Sequence, residues 1–232
     1  IRQKNTPEEI IETVTQLCIN RLPKAYGFNP FSDIQILTPT RKGPVGVNIL
    51  NNHLQQELNP SSPKKAEKET TNCIFREFDK VMQIKNDYDI VWTNSKGETG
   101  SGVFNGDIGF ILEINNKEKS LKVQFDDKIA TYYDTDLSLL ELAYAVTVHK
   151  SQGSEFPVVI IPMCFFPPML MCRNLFYTAV TRAKKMVVLV GTKQCIGRMV
   201  SNNYTKVRYT MLKHFLIEDS AIYGADSNES NN

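Results

Sequence analysis

The chain has 232 residues, long enough for one large domain or two small ones, with 41% hydrophobic and 22% charged residues, an ordinary soluble balance. A net charge of +2 excludes a globally basic nucleic-acid binder, so any basic surface must be local. No apolar run approaches the roughly 20 residues of a membrane span, and no basic-then-apolar leader is present, so a cytoplasmic protein without a membrane partner is expected.

The chain begins Ile1-Arg2-Gln3 without an initiator Met, compatible with a piece of a longer protein. Five scattered cysteines (Cys18, Cys73, Cys164, Cys172, Cys195) form no C-x-x-C pair and read as buried thiols of a reducing compartment, with no metal site.

Thr6-Pro7-Glu8-Glu9 is a helix start with a capping box, and Ile10, Ile11, Val14, Leu17 and Cys18 extend an amphipathic helix to about Leu22. Asp33–Leu37 reads as a buried strand, Thr38–Gly43 as a loop carrying Arg41 and Lys42, and Pro44–Leu58 as a helix. Ser61–Thr71 is polar and aperiodic, a connecting loop.

Between about Phe75 and Asp136 the pattern changes to about five short strand-like runs: 80–84, 89–92, 109–114, 121–125 and 129–133. Asn-, Asp- and Gly-rich turns divide them, which is the pattern of a small barrel. The α/β alternation then resumes with a strand over 142–148, a strand over 157–163, a helix from Pro168 to Lys184, a strand over 186–190 and a helix from Lys193. The barrel is therefore an insertion in one α/β domain, and Gly224–Asn232 reads as a solvated tail.

A P-loop, G-x-x-x-x-G-K-[ST], is missing. Its nearest approach, Gly97–Val103, has Val103 where Lys is required and reads as a hairpin loop. No acidic pair closes a buried strand to hold Mg²⁺ and no carboxylate cluster suggests a nuclease, so this chain alone should not hydrolyse ATP. Leu175–Lys184 has an apolar face that would set Arg182 near a helix C-terminus. A cation held there serves either to meet the charge developing on a phosphate or to pair with a carboxylate and cap the helix.

Thr147-Val148-His149-Lys150-Ser151-Gln152-Gly153-Ser154-Glu155-Phe156, followed by Tyr177-Thr178-Ala179-Val180-Thr181-Arg182-Ala183, resembles motifs V and VI of superfamily 1 DNA helicases. Pro39–Gly46, Leu50-Asn51, Phe78–Asp87 and Val103–Gly109 are similar to the RecD-like branch, over residues from about 33 to 192. Phe78 stands where that branch often has Gly before Asp79.

The resemblance implies a RecA-like second motor domain (2A, residues 1–74 and 137–232) interrupted by an SH3-like barrel (2B, residues 75–136). It implies that Arg41 and Arg182 reach the γ-phosphate of ATP, that Gly153 lets backbone approach the nucleotide with Gln152 beside it, and that Glu155 contacts the ribose. Thr147, His149 and Lys150 match positions contacting single-stranded DNA. ATP with Mg²⁺ would be bound mainly by an N-terminal motor domain of the same protein.

The implied activity is ATP-driven 5′-to-3′ translocation in DNA recombination and repair, alone or with subunits of a nuclease–helicase complex. In the insert, Lys80, Lys85, Asn86, Trp92 and Asn105 are candidates for a strand-binding face, with Trp92 equally a core residue and the lysines equally solvated surface. The competing reading is a non-catalytic DNA- or protein-binding module that uses the insert. Retention of Gln152, Gly153, Glu155 and Arg182 argues against it.

Overall fold

Thr6 caps the first helix from both sides: its hydroxyl accepts from Glu9 N at 3.2 Å, and its own N–H donates to the Glu9 carboxylate at 3.4 Å. The computed structural model describes residues 2–3, 6–203, 211 and 215–217.

In chain order, β1 (Arg2–Gln3) precedes α1 (Pro7–Gln16), which runs through a π-helical turn (Leu17–Arg21) into α2 (Leu22–Tyr26). Then come β2 (Ile34–Thr38), α3 (Val47–Leu58) and the two-stranded pair β3 (Glu67–Glu69) and β4 (Ile74–Arg76). Next are β5 (Lys80–Gln83), β6 (Asp87–Asn94), β7 (Thr99–Val103), β8 (Ile108–Asn115), β9 (Ser120–Phe125) and β10 (Lys128–Tyr133). The last elements are β11 (Leu140–Leu142), β12 (Ala145–Thr147), β13 (Phe156–Met163), α4 (Arg173–Val180), β14 (Ala183–Gly191) and α5 (Lys193–Ser201).

Two sheets organise the unit formed by residues 1–202. The first is parallel throughout, in the order β1-β14-β13-β2-β12. Its centre, β13, is a near-continuous apolar run with Val158–Ile161 buried, as a parallel strand covered on both faces requires. The apolar stripe of α1, Ile10 and Val14, is buried where that helix meets β13, β14 and α3.

The second sheet is antiparallel, in the order β11-β5-β8-β9-β10-β6-β7. Here the alternation of β9, with Leu121, Val123 and Phe125 inward, is what a sheet with one buried face dictates. In the second unit, residues 203–232, the described residues include a helical turn at 215–217, and Phe215 N donates to Met211 O at 3.0 Å. The tail at 224–232 lies outside the described residues.

Several expectations change. The first helix passes Leu22 and ends at Gly27, whose φ of 72° closes α2. Pro23 is carried because the π turn loosens the hydrogen-bond ladder just before it, with Leu22 N donating to Leu17 O. The 61–71 loop contains β3, tied by the Arg76–Glu67 ion pair at 2.8 Å. Gly97–Val103 lies in the β6–β7 hairpin, as expected, but most of it is strand β7 rather than loop.

The helix over 168–184 shrinks to α4: Thr181 and Arg182 form a turn, and β14 starts at Ala183. The single strand over 142–148 is two strands in different sheets. β11 pairs with β5 of the antiparallel sheet, and β12 pairs with β2 of the parallel one. Asn51 fixes the switch by donating to Leu142 O (2.7 Å) and Ala145 O (3.0 Å) and accepting from Ala145 N (2.7 Å).

Candidate functional site

The loop 148–155 carries the chain from the C-terminal end of β12 to the N-terminal end of β13. Its first half is a tight coil: Lys150 N and Ser151 N both donate to Thr147 O, at 3.0 and 3.2 Å. The fully buried Ser151 hydroxyl donates to Val148 O at 2.8 Å, which pins the middle. Thr147 is half-buried, and its hydroxyl accepts from Lys150 N at 3.3 Å. His149 and Gln152 are exposed. Gly153 has φ +88° with nothing within 4 Å of where a Cβ would stand, so only its backbone conformation demands glycine and the space above it is open.

The expected site residues fall into two groups at opposite edges of the parallel sheet. At the C-terminal edge, Arg41 and Lys150 share one carboxylate. Arg41 Nη2 lies 2.6 Å from Glu141 Oε1, and Lys150 Nζ lies 2.9 Å from Glu141 Oε2. Burial pushes the Glu141 carboxyl up, but the hydrogen bonds from Lys150 and Arg41 outweigh it and leave it below the usual range.

At the N-terminal edge, Arg182 Nη1 donates to Ser154 O at 3.2 Å, and Arg182 O accepts from Phe156 N at 2.8 Å. Its Nε is buried without a partner among the described residues. Arg182 therefore neither pairs with a carboxylate nor caps α4 there; it braces the far end of the loop. Glu155 beside it meets Lys184 at 3.3 Å, both side chains more than half exposed.

Arg41, expected next to Arg182, stands apart from it. The loop bearing Arg41 leaves the C-terminal end of β2, whereas the turn bearing Arg182 enters the N-terminal end of β14. Thr38 pairs with Thr147, Ile34 with Val158, and Ala183 with Phe156. That register separates the two edges by roughly six residues of strand, about 20 Å.

The insert gives a second correction. Lys80 is buried, with Nζ donating to Ile34 O at 3.3 Å, so it is not part of a strand-binding face. Burial pushes its pKa down to about 8 against the pull of Cys18 and Asp33. The indole of Trp92 is packed on Gly100 and covered by Lys128 Nζ, 4.5 Å from the ring centroid. Lys85, Asn86 and Asn105 remain exposed, and Asn105 N donates to Asn86 Oδ1 at 2.9 Å. Their turn lies against the loop: a Cβ on Gly106 would sit 4.0 Å from Lys150 O.

Glu141 was missed in the sequence, although an acidic residue flanked by Leu140 and Leu142 signals an outward-facing position. Phe78 has φ +73°, which gives the physical reason that glycine suits that turn. Among the described residues no group of three or more His, Cys, Asp or Glu side chains is placed to hold a metal ion. All five cysteines are free, with Cys18 and Cys195 buried and the other three half-buried.

A parallel sheet with motif V and VI residues at its two edges, continued into an antiparallel insert, defines a RecA-like helicase domain carrying an SH3-like domain. Residues 50–125 match the SH3 domain of ATP-dependent RecD-like DNA helicases, and residues 142–190 match the UvrD-like helicase C-terminal domain. The chain belongs to the RecD-like superfamily 1 helicases, in their C-terminal region.

It is 37% identical over 161 residues to the ATP-dependent RecD2 DNA helicase of Deinococcus radiodurans, covering 68% of this chain and 20% of that protein. It is 35% identical over 232 residues to an uncharacterised protein of Methanocaldococcus jannaschii, covering 92% of this chain and 19% of that protein. The chain thus spans about a fifth of the length of these curated relatives. A crystal structure of Bacteroides Pif1 bound to ssDNA is similar at a TM-score of 0.46 and 15% identity, over 98% of this chain and 56% of that one. No helix among the described residues is long and apolar enough to cross a membrane.

Proposed function

We propose that this chain is the second motor half of an ATP-dependent DNA helicase, with residues 1–74 and 137–232 as domain 2A and 75–136 as the inserted domain 2B. Single-stranded DNA lies along the C-terminal edge of the parallel sheet, against Thr147, His149, Lys150 and Arg41. The nucleotide lies at the N-terminal edge, against Arg182, Gly153, Gln152 and Glu155. ATP with Mg²⁺ is held chiefly by an N-terminal motor domain of the same protein, which supplies the phosphate cradle.

What supports this reading is the state of Arg182. It is braced on Ser154 O, its buried Nε has no partner among the described residues, and the glycine backbone of the same loop is open. Such an arginine suits an anionic oxygen arriving from across a cleft, where an arginine finger contributes about 10³–10⁵ in rate. Arg41 moves from the nucleotide group to the DNA group.

The test is Arg182→Ala in the protein joined to its N-terminal motor domain. DNA-stimulated ATP turnover should fall about 10³-fold or more, with affinity for single-stranded DNA kept within a few-fold. A large loss of DNA affinity instead would assign Arg182 to DNA. The 232-residue chain by itself should show no ATP turnover, and measurable turnover would overturn that part. Translocation runs 5′ to 3′ on this reading, and the partners are single-stranded DNA, the N-terminal motor domain and, for a protein working in a complex, nuclease–helicase subunits.

A further inference from the structure

Glu141 is gripped as a phosphodiester would be, with one oxygen for each cation: Oε1 on Arg41 at 2.6 Å and Oε2 on Lys150 at 2.9 Å. The fold does not need this arrangement to place its backbone. The strand around Glu141 is already fixed by the β5 ladder on both sides, Leu140 with Gln83 and Leu142 with Val81, and by Asn51. Partly exposed ion pairs of this kind contribute about 0–1 kcal/mol each.

The cluster carries two positive charges and one negative, so it retains net attraction for an anion. Arg41 is half exposed, one of its guanidinium nitrogens is engaged, and it borders an open cleft of about 260 Å³ together with Asn48 and Asn52. The carboxylate comes from the insert's sheet, whereas the two cations come from the loops that leave β2 and β12.

We propose that Arg41 and Lys150 form a subsite for a backbone phosphate of single-stranded DNA, and that Glu141 is the internal surrogate that fills it in the absence of DNA. The proposal rests on the reading that DNA lies at the C-terminal edge. An arriving phosphate displaces the carboxylate and takes over both cations. Displacement releases the tie between β11, which edges the antiparallel sheet, and the two motor loops, so that sheet registers whether the DNA strand is present. The surrogate also weakens capture of stray anions, because each must compete with a tethered carboxylate.

The test is Glu141→Gln, which keeps shape and an acceptor while removing the charge. Binding of a short fluorescein-labelled oligodeoxythymidine to the purified protein is followed by anisotropy over a salt series. The variant should bind about five-fold tighter, the size of one partly exposed ion pair. The slope of log affinity against log salt should stay the same, because the same phosphate is contacted in both proteins and only the competing carboxylate is lost. Arg41→Ala should weaken binding, and by more in the Glu141→Gln background than in the wild type.

Unchanged or weaker binding by a Glu141→Gln protein with a wild-type urea midpoint overturns the surrogate role. If Thr147→Val still weakens binding in that case, the DNA edge stands and only the surrogate role falls. If Thr147→Val is also without effect, both fall.

Discussion

Replacing Lys80 by Met should stabilise the protein at neutral pH and lose that advantage in alkali. Lys80 is 3% exposed, its Nζ has the Ile34 carbonyl at 3.3 Å, and no carboxylate forms an ion pair with it among the described residues. Desolvation drops its pKa from 10.5 to about 8, worth about 3 kcal/mol at about 1.4 kcal/mol per pH unit. Between those values the folded state binds fewer protons than the unfolded state. This group's contribution therefore rises with pH across that window and is lost as pH falls through about 8. The Cys18 thiol nearby is pushed by burial up to about 12 and stays protonated over the window. Met fills a similar volume with nothing to desolvate, but forfeits the bond to Ile34 O, about 1 kcal/mol. The variant should be more stable by about 2 kcal/mol at pH 7 and less stable by about 1 kcal/mol above pH 10.5. Urea unfolding of both proteins at the two pH values reads the crossover. Parallel pH profiles, or a Met variant already weaker at pH 7, would refute a buried, unpaired Lys80.

Asp79 accepts from Gln55 Nε2 (2.6 Å), Asn59 Nδ2 (2.7 Å), Arg76 N (2.7 Å) and Tyr144 OH (2.8 Å) in a fully buried position. Asp79→Ala removes the shared acceptor of all four, although Gln55 Nε2 keeps Ile74 O (2.8 Å) and Asn59 Nδ2 keeps Glu77 O (2.9 Å). It should cost about 3 kcal/mol in urea unfolding; a loss under about 1 kcal/mol would mean that water or neighbouring groups replace the carboxylate. Gly100→Ala sets a Cβ 2.4 Å from Cζ2 of Trp92, so the indole must leave its seat. Because Trp92 is the sole tryptophan, the variant should show a red-shifted emission, and an unchanged spectrum would contradict the packing.

What the sequence made legible was what local chemistry decides. The capping box at Thr6, the apolar run of β13 and the turn residues dividing the insert's strands each depend on neighbours in the chain. The misses are tertiary. Nothing between Leu140 and Val146 marks a turn, because the strand changes sheets through bonds to Asn51, about ninety residues away. Lys80 was a candidate for a strand-binding face or for solvated surface, yet all four residues of β5 are buried, so that strand has no solvent face. The helical pattern through Lys184 was cut short when Ala183–Gly191 joined β13 as a strand. In the site, the motif residues were found, but their division between two edges was not. Only the register of β2, β12, β13 and β14 shows that Arg41 and Arg182 belong to different groups.

That division changes what loop 148–155 must do. With both arginines at one phosphate, the loop would be one wall of a single site, and its length would have no use. With the groups at opposite edges, the loop joins them through one short covalent path. Its middle is clamped by the buried Ser151, its start is coiled onto Thr147, and its end is held by Arg182 through Ser154 O. A segment pinned in this way passes displacement along instead of absorbing it. On the proposed reading, a nucleotide that draws Arg182 towards its phosphate pulls at Ser154. The groups that respond at the DNA edge are the exposed His149, and Lys150 through its pair with Glu141. The energy transmitted is limited to the difference in nucleotide affinity between the two loop positions. Arg182→Ala should therefore uncouple nucleotide from DNA affinity even where DNA binding itself is intact.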